Sequence, residues 1–221
     1  AAIQQKIKQV VALSTDKEAN PINLYGASKL ASDKLFVAAN NMAGKNGSRF
    51  SVVRYGNVAG SRGSVLQLFS KLAQKGENSF PITDIRMTRF WLPLSQGVDF
   101  VFKAFQRMQG GEIFVPKIPS IFMTDLAKSM TDSAEIDIIG IRPGEKLHEL
   151  MVTEEDSRQT LEFHDHFVIT PAIKFFESVN YKQNKLHETG QAVAEEFEYH
   201  SGNNPEFLTV EEIKKLNKQI L

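Results

Sequence analysis

Apolar and polar positions change period several times along the chain, and each change marks an element. Val10-Val11-Ala12-Leu13-Ser14-Thr15 is a short apolar run suited to a strand buried on both faces, and Ala2 to Gln9 before it has helical character. Asn20-Pro21-Ile22-Asn23 is turn chemistry. From Leu24 to about Met42 the spacing becomes helical, with Leu30, Leu35, Phe36 and Ala39 able to share a face. Gly44 to Ser48 stops that helix, and Phe50 to Tyr55 reads as the next strand. Strand, helix, strand in this order predicts a parallel crossover and an α/β fold.

The pattern loosens after Gly60 but elements recur. Val65 to Lys75 reads as helix and Arg89 to Leu94 as a short extended piece. Gln96 to Met108 reads as an amphipathic helix with Val98, Val101, Phe102 and Phe105 on its apolar stripe. Glu112 to Val115 and Asp137 to Ile141 suit strands; Thr124 to Met130, with Thr124 as a cap, and Gly144 to Met151 suit helices. Thr209-Val210-Glu211-Glu212 has the pattern of a capped terminal helix.

Composition narrows the class. In 221 residues, 42% hydrophobic content and 26 basic against 26 acidic residues describe a globular protein with no bias toward nucleic acid. No apolar run reaches the roughly 20 residues of a membrane helix, and Ala1 to Lys6 lacks the apolar core of a signal peptide. With no cysteine there are no disulfides or thiolate metal sites, so no membrane partner and a cytoplasmic location are expected.

Candidate chemistry concentrates in the first third. Ser14-Thr15-Asp16-Lys17 follows a strand, where ligands of α/β sheets bind. Tyr25 and Lys29 lie one helical turn apart, and an ammonium beside a phenol favours the phenolate, as deprotonating an alcohol requires. His164 and His166 flank Asp165 at strand spacing, but no third ligand is signalled and no metal is expected. Arg89 and Arg142 carry guanidinium groups able to pair with a diphosphate, and Asn57 follows a strand.

Tyr25-Gly26-Ala27-Ser28-Lys29 with an upstream Ser or Thr resembles the extended short-chain dehydrogenase/reductases. More narrowly, Ser14 to Lys17, Pro21 to Lys29, Arg54 to Val58, Gly60 to Ser64, Pro81 to Asp84, Arg86 to Phe90 and Arg142 to Lys146 resemble the inverting UDP-N-acetylglucosamine 4,6-dehydratases of bacterial pseudaminic acid synthesis, used in polysaccharide biosynthesis and flagellin glycosylation. The resemblance implies the C-terminal part of an NAD(P)-binding Rossmann fold with a smaller α+β substrate-binding lobe. It divides the chain into 1–64 and 94–116 for the Rossmann part, and 65–93 and 117–221 for the substrate lobe. The family's glycine-rich phosphate loop is absent from this sequence. The chain is therefore expected to lack about the first third of a family member, and its activity alone is in question.

By the same resemblance, NADP both accepts and returns one hydride. Tyr25, Lys29 and Thr15 serve oxidation at C4, while Lys17 as base and Asp16 as acid remove water across C5 and C6. Ser14, Thr15, Tyr25, Lys29, Val58, Ala59, Gly60, Ser61 and Arg62 are implied for the cofactor. Asn57, Thr83, Arg89, Arg142 and Glu145 are implied for UDP-N-acetylglucosamine. Tyr25 favours inversion, since retaining relatives carry Met there. The product would be UDP-2-acetamido-2,6-dideoxy-L-arabino-hex-4-ulose, made by a homo-oligomer. A retaining dehydratase, a C4 epimerase and a non-catalytic interaction module remain as alternatives.

Overall fold

The computed structural model describes residues 1–61, 63–173 and 179–220. Arg62, expected at the cofactor, lies outside the described residues. In chain order the elements are β1 (Gln9–Thr15), a 3-10 turn (Asp16–Glu18), α1 (Leu24–Ala43), β2 (Arg49–Tyr55), β3 (Asn57–Val58), α2 (Val65–Gln74), β4 (Ser79–Ile82), β5 (Thr88–Leu92), α3 (Leu94–Arg107) and β6 (Ile113–Pro116). There follow β7 (Ser120–Phe122), α4 (Met123–Lys128), β8 (Glu135–Ile138), β9 (Leu150–Val152), α5 (Glu154–Ser157), β10 (Thr160–Glu162), β11 (His166–Ile169), β12 (Gln191–Ala192), β13 (Tyr199–His200) and α6 (Val210–Asn217). The chain packs as two units: Ala1–Tyr55 with Val98–Lys117 and Leu150–Tyr199, and Gly56–Gly97 with Ile118–Glu149 and His200–Leu221.

The first unit is built on a six-stranded sheet in the order β1-β2-β6-β11-β10-β12. β1 and β2 run parallel, from Gln9 opposite Arg49 to Thr15 opposite Tyr55, and β6 continues parallel to β2. The three strands that complete the sheet alternate in direction. Val53, Phe100, Ala104, Met108, Phe114, Leu161, Phe163 and Val168 form its core. Thus residues 160–169, expected in a substrate lobe, extend the sheet that begins at β1. Their two apolar strands, Thr160–Glu162 and His166–Ile169, find an open edge beside β6.

Two helix faces differ from expectation. On α1 the buried positions are Gly26, Asp33 and Asn40, whereas Leu35 is exposed. On α3 Phe100 and Ala104 are buried, while Val98 and Phe102 face outward. In both helices the packing face is chosen by the sheet beneath, and apolar side chains off that face stay in solvent.

The second unit holds the three-stranded sheet β3-β5-β7 and the parallel pair β4 and β8. Leu66, Phe69, Phe80, Ile82, Met87, Trp91, Ile121, Leu126 and Ile213 are among its core residues. α4 starts directly from β7, with Phe122 at the cap position, so Thr124 lies inside the helix and caps nothing. Residues 144–149, expected as helix, form turns and bends. Gly144 has a left-handed backbone (φ +79°), and Leu147 gives its carbonyl to the Thr88 amide, which breaks a helical ladder. β8 lies two residues before its expected start. The terminal helix carries the reciprocal Thr209 and Glu212 capping box. Among the described residues no helix is long and apolar enough to cross a membrane.

Candidate functional site

In the first unit the chemistry gathers where β1 ends. Asp16 is fully buried in the 3-10 turn, and its Oδ1 accepts from Thr15 Oγ1 at 2.8 Å and from Lys17 Nζ at 3.0 Å. Asp16 Oδ2 is buried with no hydrogen-bond partner among the described residues. Burying a carboxylate oxygen with nothing to satisfy it is costly, so this oxygen suits a donor supplied by a ligand. Ser14, one residue earlier than Thr15, is buried beside Asp33.

α1 approaches this turn through its first residues. Asn23 caps the helix, its Oδ1 accepting from the Gly26 amide at 2.9 Å. A Cβ at Gly26 would collide with the carbonyl oxygen of Lys17, so only glycine lets the helix start lie this close to the Asp16-Lys17 turn. Tyr25, more than half exposed, and the partly exposed Lys29 sit on the same unit as the turn, four residues apart on α1.

A second group of charges supports the turn from below. Glu18, its last residue, is ion-paired with Arg54 of β2, and both are almost fully buried. Arg54 also donates to the Met151 carbonyl at 2.6 Å and lies 3.4 Å from Asp156. Burial raises the Glu18 pKa to about 7; Arg54 opposes the rise, and the neighbouring carboxyl of Asp33 adds to it. Burial likewise raises Asp33.

The second unit contains a cavity of about 400 Å³, in the range of small-molecule sites. It is lined by all five residues expected at the substrate, Asn57, Thr83, Arg89, Arg142 and Glu145, and by Val58 and Ser61 from the group expected at the cofactor. Ala59 instead joins the apolar core, and Gly60 (φ +80°) abuts Ile220. Asn57 Oδ1, Ser64 Oγ and Trp91 Nε1, all on lining residues, are buried without hydrogen-bond partners among the described residues. Such orphaned acceptors and donors are what a polar ligand would satisfy.

The two arginines differ. Arg89 is buried; it donates to the Thr88 carbonyl at 2.7 Å and lies 3.6 and 3.5 Å from the carboxylates of Glu145 and Glu149. Arg142 is exposed at the cavity wall. Thr83 Oγ1 is 3.3 Å from Glu145 Oε2, so Glu145 ties Thr83 to Arg89. Sequence reasoning missed the apolar wall of Leu68, Met87, Trp91, Met123 and Ile139. Met87 lies inside a recognised block, but Met123 and Ile139 carry no local signal.

His166 and His148 pack, whereas His164 and His187 are exposed. His166 is fully buried, hydrogen-bonded through Nδ1 to Asp165 at 2.7 Å and stacked on Phe163. His148 meets Thr88 Oγ1 at 2.7 Å, and burial first, then His200, hold its pKa down.

Comparison with known proteins places this arrangement. The family model described as "Polysaccharide biosynthesis protein" matches residues 1–171. The chain is 54% identical over 217 residues to the UDP-N-acetylglucosamine 4,6-dehydratase (inverting) of Campylobacter jejuni, covering 98% of this chain and 65% of that protein. It is 36% identical over 220 residues to a UDP-glucose 4-epimerase of Rickettsia canadensis, covering 98% of this chain and 63% of the relative. The X-ray structure of Pen from Bacillus thuringiensis superposes with a TM-score of 0.82 at 33% identity, over 100% of this chain and 65% of that one. The chain thus spans about 65% of the length of the dehydratase it matches. Its parallel β1-α1-β2 crossover is Rossmann-like, and with the matched family model the chain belongs to the polysaccharide biosynthesis protein family.

Proposed function

We propose that the chain supplies the acid-base residues and the nucleotide-sugar pocket of an inverting UDP-N-acetylglucosamine 4,6-dehydratase. The observation that carries the reading is the Asp16-Lys17 doublet at the end of β1, in which Asp16 is buried with one unsatisfied carboxylate oxygen and Lys17 is half-buried. The 54% identity to a relative of that name supports it.

Tyr25 and Lys29 stand four residues apart near the start of α1 and Thr15 Oγ1 at the end of β1, a set of groups that fits a nicotinamide ribose and a sugar hydroxyl. A bound nicotinamide dinucleotide, which we assign as NADP, supplies reversible hydride acceptance at C4 and delivery at C6. Tyr25, with Lys29 beside it on the helix, takes the proton of the sugar 4-hydroxyl, and Thr15, turning its one hydroxyl proton from Asp16 Oδ1 toward the substrate, donates to the C4 oxygen. Once C4 is a ketone, C5 is acidic.

The doublet then acts as one unit. Asp16 carboxylate with Lys17 ammonium, and Asp16 carboxylic acid with Lys17 amine, contain the same number of protons. They interconvert by moving one proton across the 3.0 Å contact. In the second form Lys17 takes the C5 proton and Asp16 gives its proton to the departing 6-hydroxyl, so water leaves with no net charge change at the doublet. Reprotonation of C5 on the opposite face gives the inverted 4-keto-6-deoxy sugar, a precursor of pseudaminic acid.

In the cavity of the second unit, Arg142 is the exposed cation for the diphosphate, with Thr83 and Asn57 hydrogen-bonding the nucleotide and phosphates. Arg89, already neutralised by Glu145 and Glu149, shapes the wall. The reading includes self-association in the cytoplasm, supported by Leu24, Leu35 and Met42 exposed along α1.

The test is to incubate the full gene product with UDP-N-acetylglucosamine in deuterated water and follow mass and C5 configuration. Water loss with inversion and one deuterium at C5 is expected. An unchanged mass with C4 inverted would establish an epimerase, and water loss with C5 retained a retaining dehydratase; either overturns the proposal.

A further inference from the structure

The acid-base chemistry uses Asp16, Lys17, Tyr25 and Lys29, yet the most buried carboxyls nearby belong to Glu18 and Asp33, which that chemistry leaves idle. Glu18 closes the 3-10 turn immediately after Lys17, and Asp33 follows Tyr25 and Lys29 at the next four-residue step of α1. Each is 1% exposed. Asp33 Oδ2 and Glu18 Oε2 are buried without a hydrogen-bond donor among the described residues, and the two carboxyls lie within hydrogen-bonding reach of each other. Two carboxylates cannot bond to one another; one carboxyl and one carboxylate can.

We propose that Glu18 and Asp33 form a positioning pair that shares one proton and fastens the Asp16-Lys17 turn to α1, with Arg54 clamping Glu18 from β2. The pair touches neither substrate nor cofactor; it acts by fixing where Lys17 and Asp16 stand relative to Tyr25 on the helix. This inference rests on the dehydratase reading for its catalytic consequence, but the shared proton is a property of the fold.

Several elements packed on the pair contribute a charge, while β1 brings the neutral Ser14 to Asp33. Asp16 and Lys17 lie on the turn itself, Lys29 on α1, Arg54 on β2, and Asp156 on α5. Against Glu18, Asp33 and Asp156 the buried cation is Arg54, with Lys29 acting on Asp33, so one proton is needed to keep the cluster from an excess of negative charge. Burial places the Glu18 titration at about 7. Above that pH the proton leaves, the two carboxylates repel, and the turn separates from the helix.

The experiment compares wild type with Glu18→Gln and Asp33→Asn in the full gene product. The Gln amide donates to Asp33 at every pH. Wild type should show an alkaline decline of kcat near neutrality, and Glu18→Gln should remove it while leaving KM for the nucleotide sugar unchanged. Infrared titration of both proteins reads the proton directly: a carboxylic-acid band that disappears as pH rises through about 7 in wild type should be missing from either variant. Because the infrared measurement needs no turnover, it separates failure of this inference from failure of the dehydratase reading. An acid band unchanged by both substitutions, or identical kcat profiles for wild type and Glu18→Gln, would overturn the proposal. A merely structural role would lower folded yield without moving either titration.

Discussion

Two ionic clusters, each gathered on a buried arginine, occupy the first unit, and they are built on opposite principles. Around Arg107 charges are matched: Nε and Nη2 bind both oxygens of Glu188 at 2.7 and 2.9 Å, Nη2 also reaches Asp165 at 3.0 Å, and Lys103 lies 3.4 Å from the same carboxylate. Asp165, through its hydrogen bond with His166 and then Arg107, is held well below the usual carboxylate range, and Arg107 holds Glu188 down too. Around Arg54 charges are mismatched, with Glu18, Asp33 and Asp156 facing one guanidinium, and both Glu18 and Asp33 are pushed upward. A matched cluster holds elements together over a wide pH range. A mismatched one stores a labile proton, and this one lies against the Asp16-Lys17 turn. The contrast suggests where stability and where reactivity are invested.

The strongest way to break that contrast is Lys17→Ala, which should lower turnover about 10²–10⁴-fold while leaving the denaturation midpoint near wild type. A coupled assay and a urea titration of the same preparation check both halves. Next in size, Arg107→Ala leaves the partly exposed Asp165 and Glu188 without their buried partner and should cost about 1–2 kcal/mol of stability, read from the urea midpoint. If Arg107→Ala instead slowed turnover at unchanged stability, the division between the clusters would fail.

A smaller effect comes from pH. The folded pKa of Glu18 lies above its unfolded value, so the folded state holds the extra proton and stability falls as pH rises from the ordinary carboxylate range to about 7. Asp165 and Glu188 are depressed, so their contribution is present above their unfolded pKa and is lost as pH falls through the acid range. Thermal midpoints measured across pH should decline at both ends. Glu18→Gln should flatten the neutral-side slope and Asp165→Asn the acid-side slope. Smallest of all, Asp84→Ala removes the exposed bidentate pair with Arg86 and should leave the midpoint unchanged, since water screens such pairs.

Local chemistry made part of this molecule legible. A four-residue apolar run, a Pro-bearing turn and a helical stretch ending near Gly44 were enough for β1, α1 and β2, because each signal lies within a few residues of its effect. The Thr209 and Glu212 cap was legible for the same reason. Residues 144–149 were not, since helical spacing there lost to the Gly144 turn and to a carbonyl taken by Thr88, a partner far away in sequence. Leu35 and Phe102 misled because periodicity names an apolar stripe without saying which side the sheet will cover. At the candidate site, Asp16, Lys17 and Arg142 are singled out by residue type and neighbours, and Thr83 by resemblance alone. Glu18 and Asp33 are not: burial and mutual approach give them their character, and neither is visible before the chain folds.

Gly26 carries a last consequence. The missing side chain makes the start of α1 and the Lys17 carbonyl a fitted joint with no tolerance for even one methyl group. Replacement by alanine would act as a wedge, parting two strips of chain whose separation no rotamer elsewhere could restore. An engineer wishing to alter this protein therefore has freedom at the cavity rim and almost none at that joint.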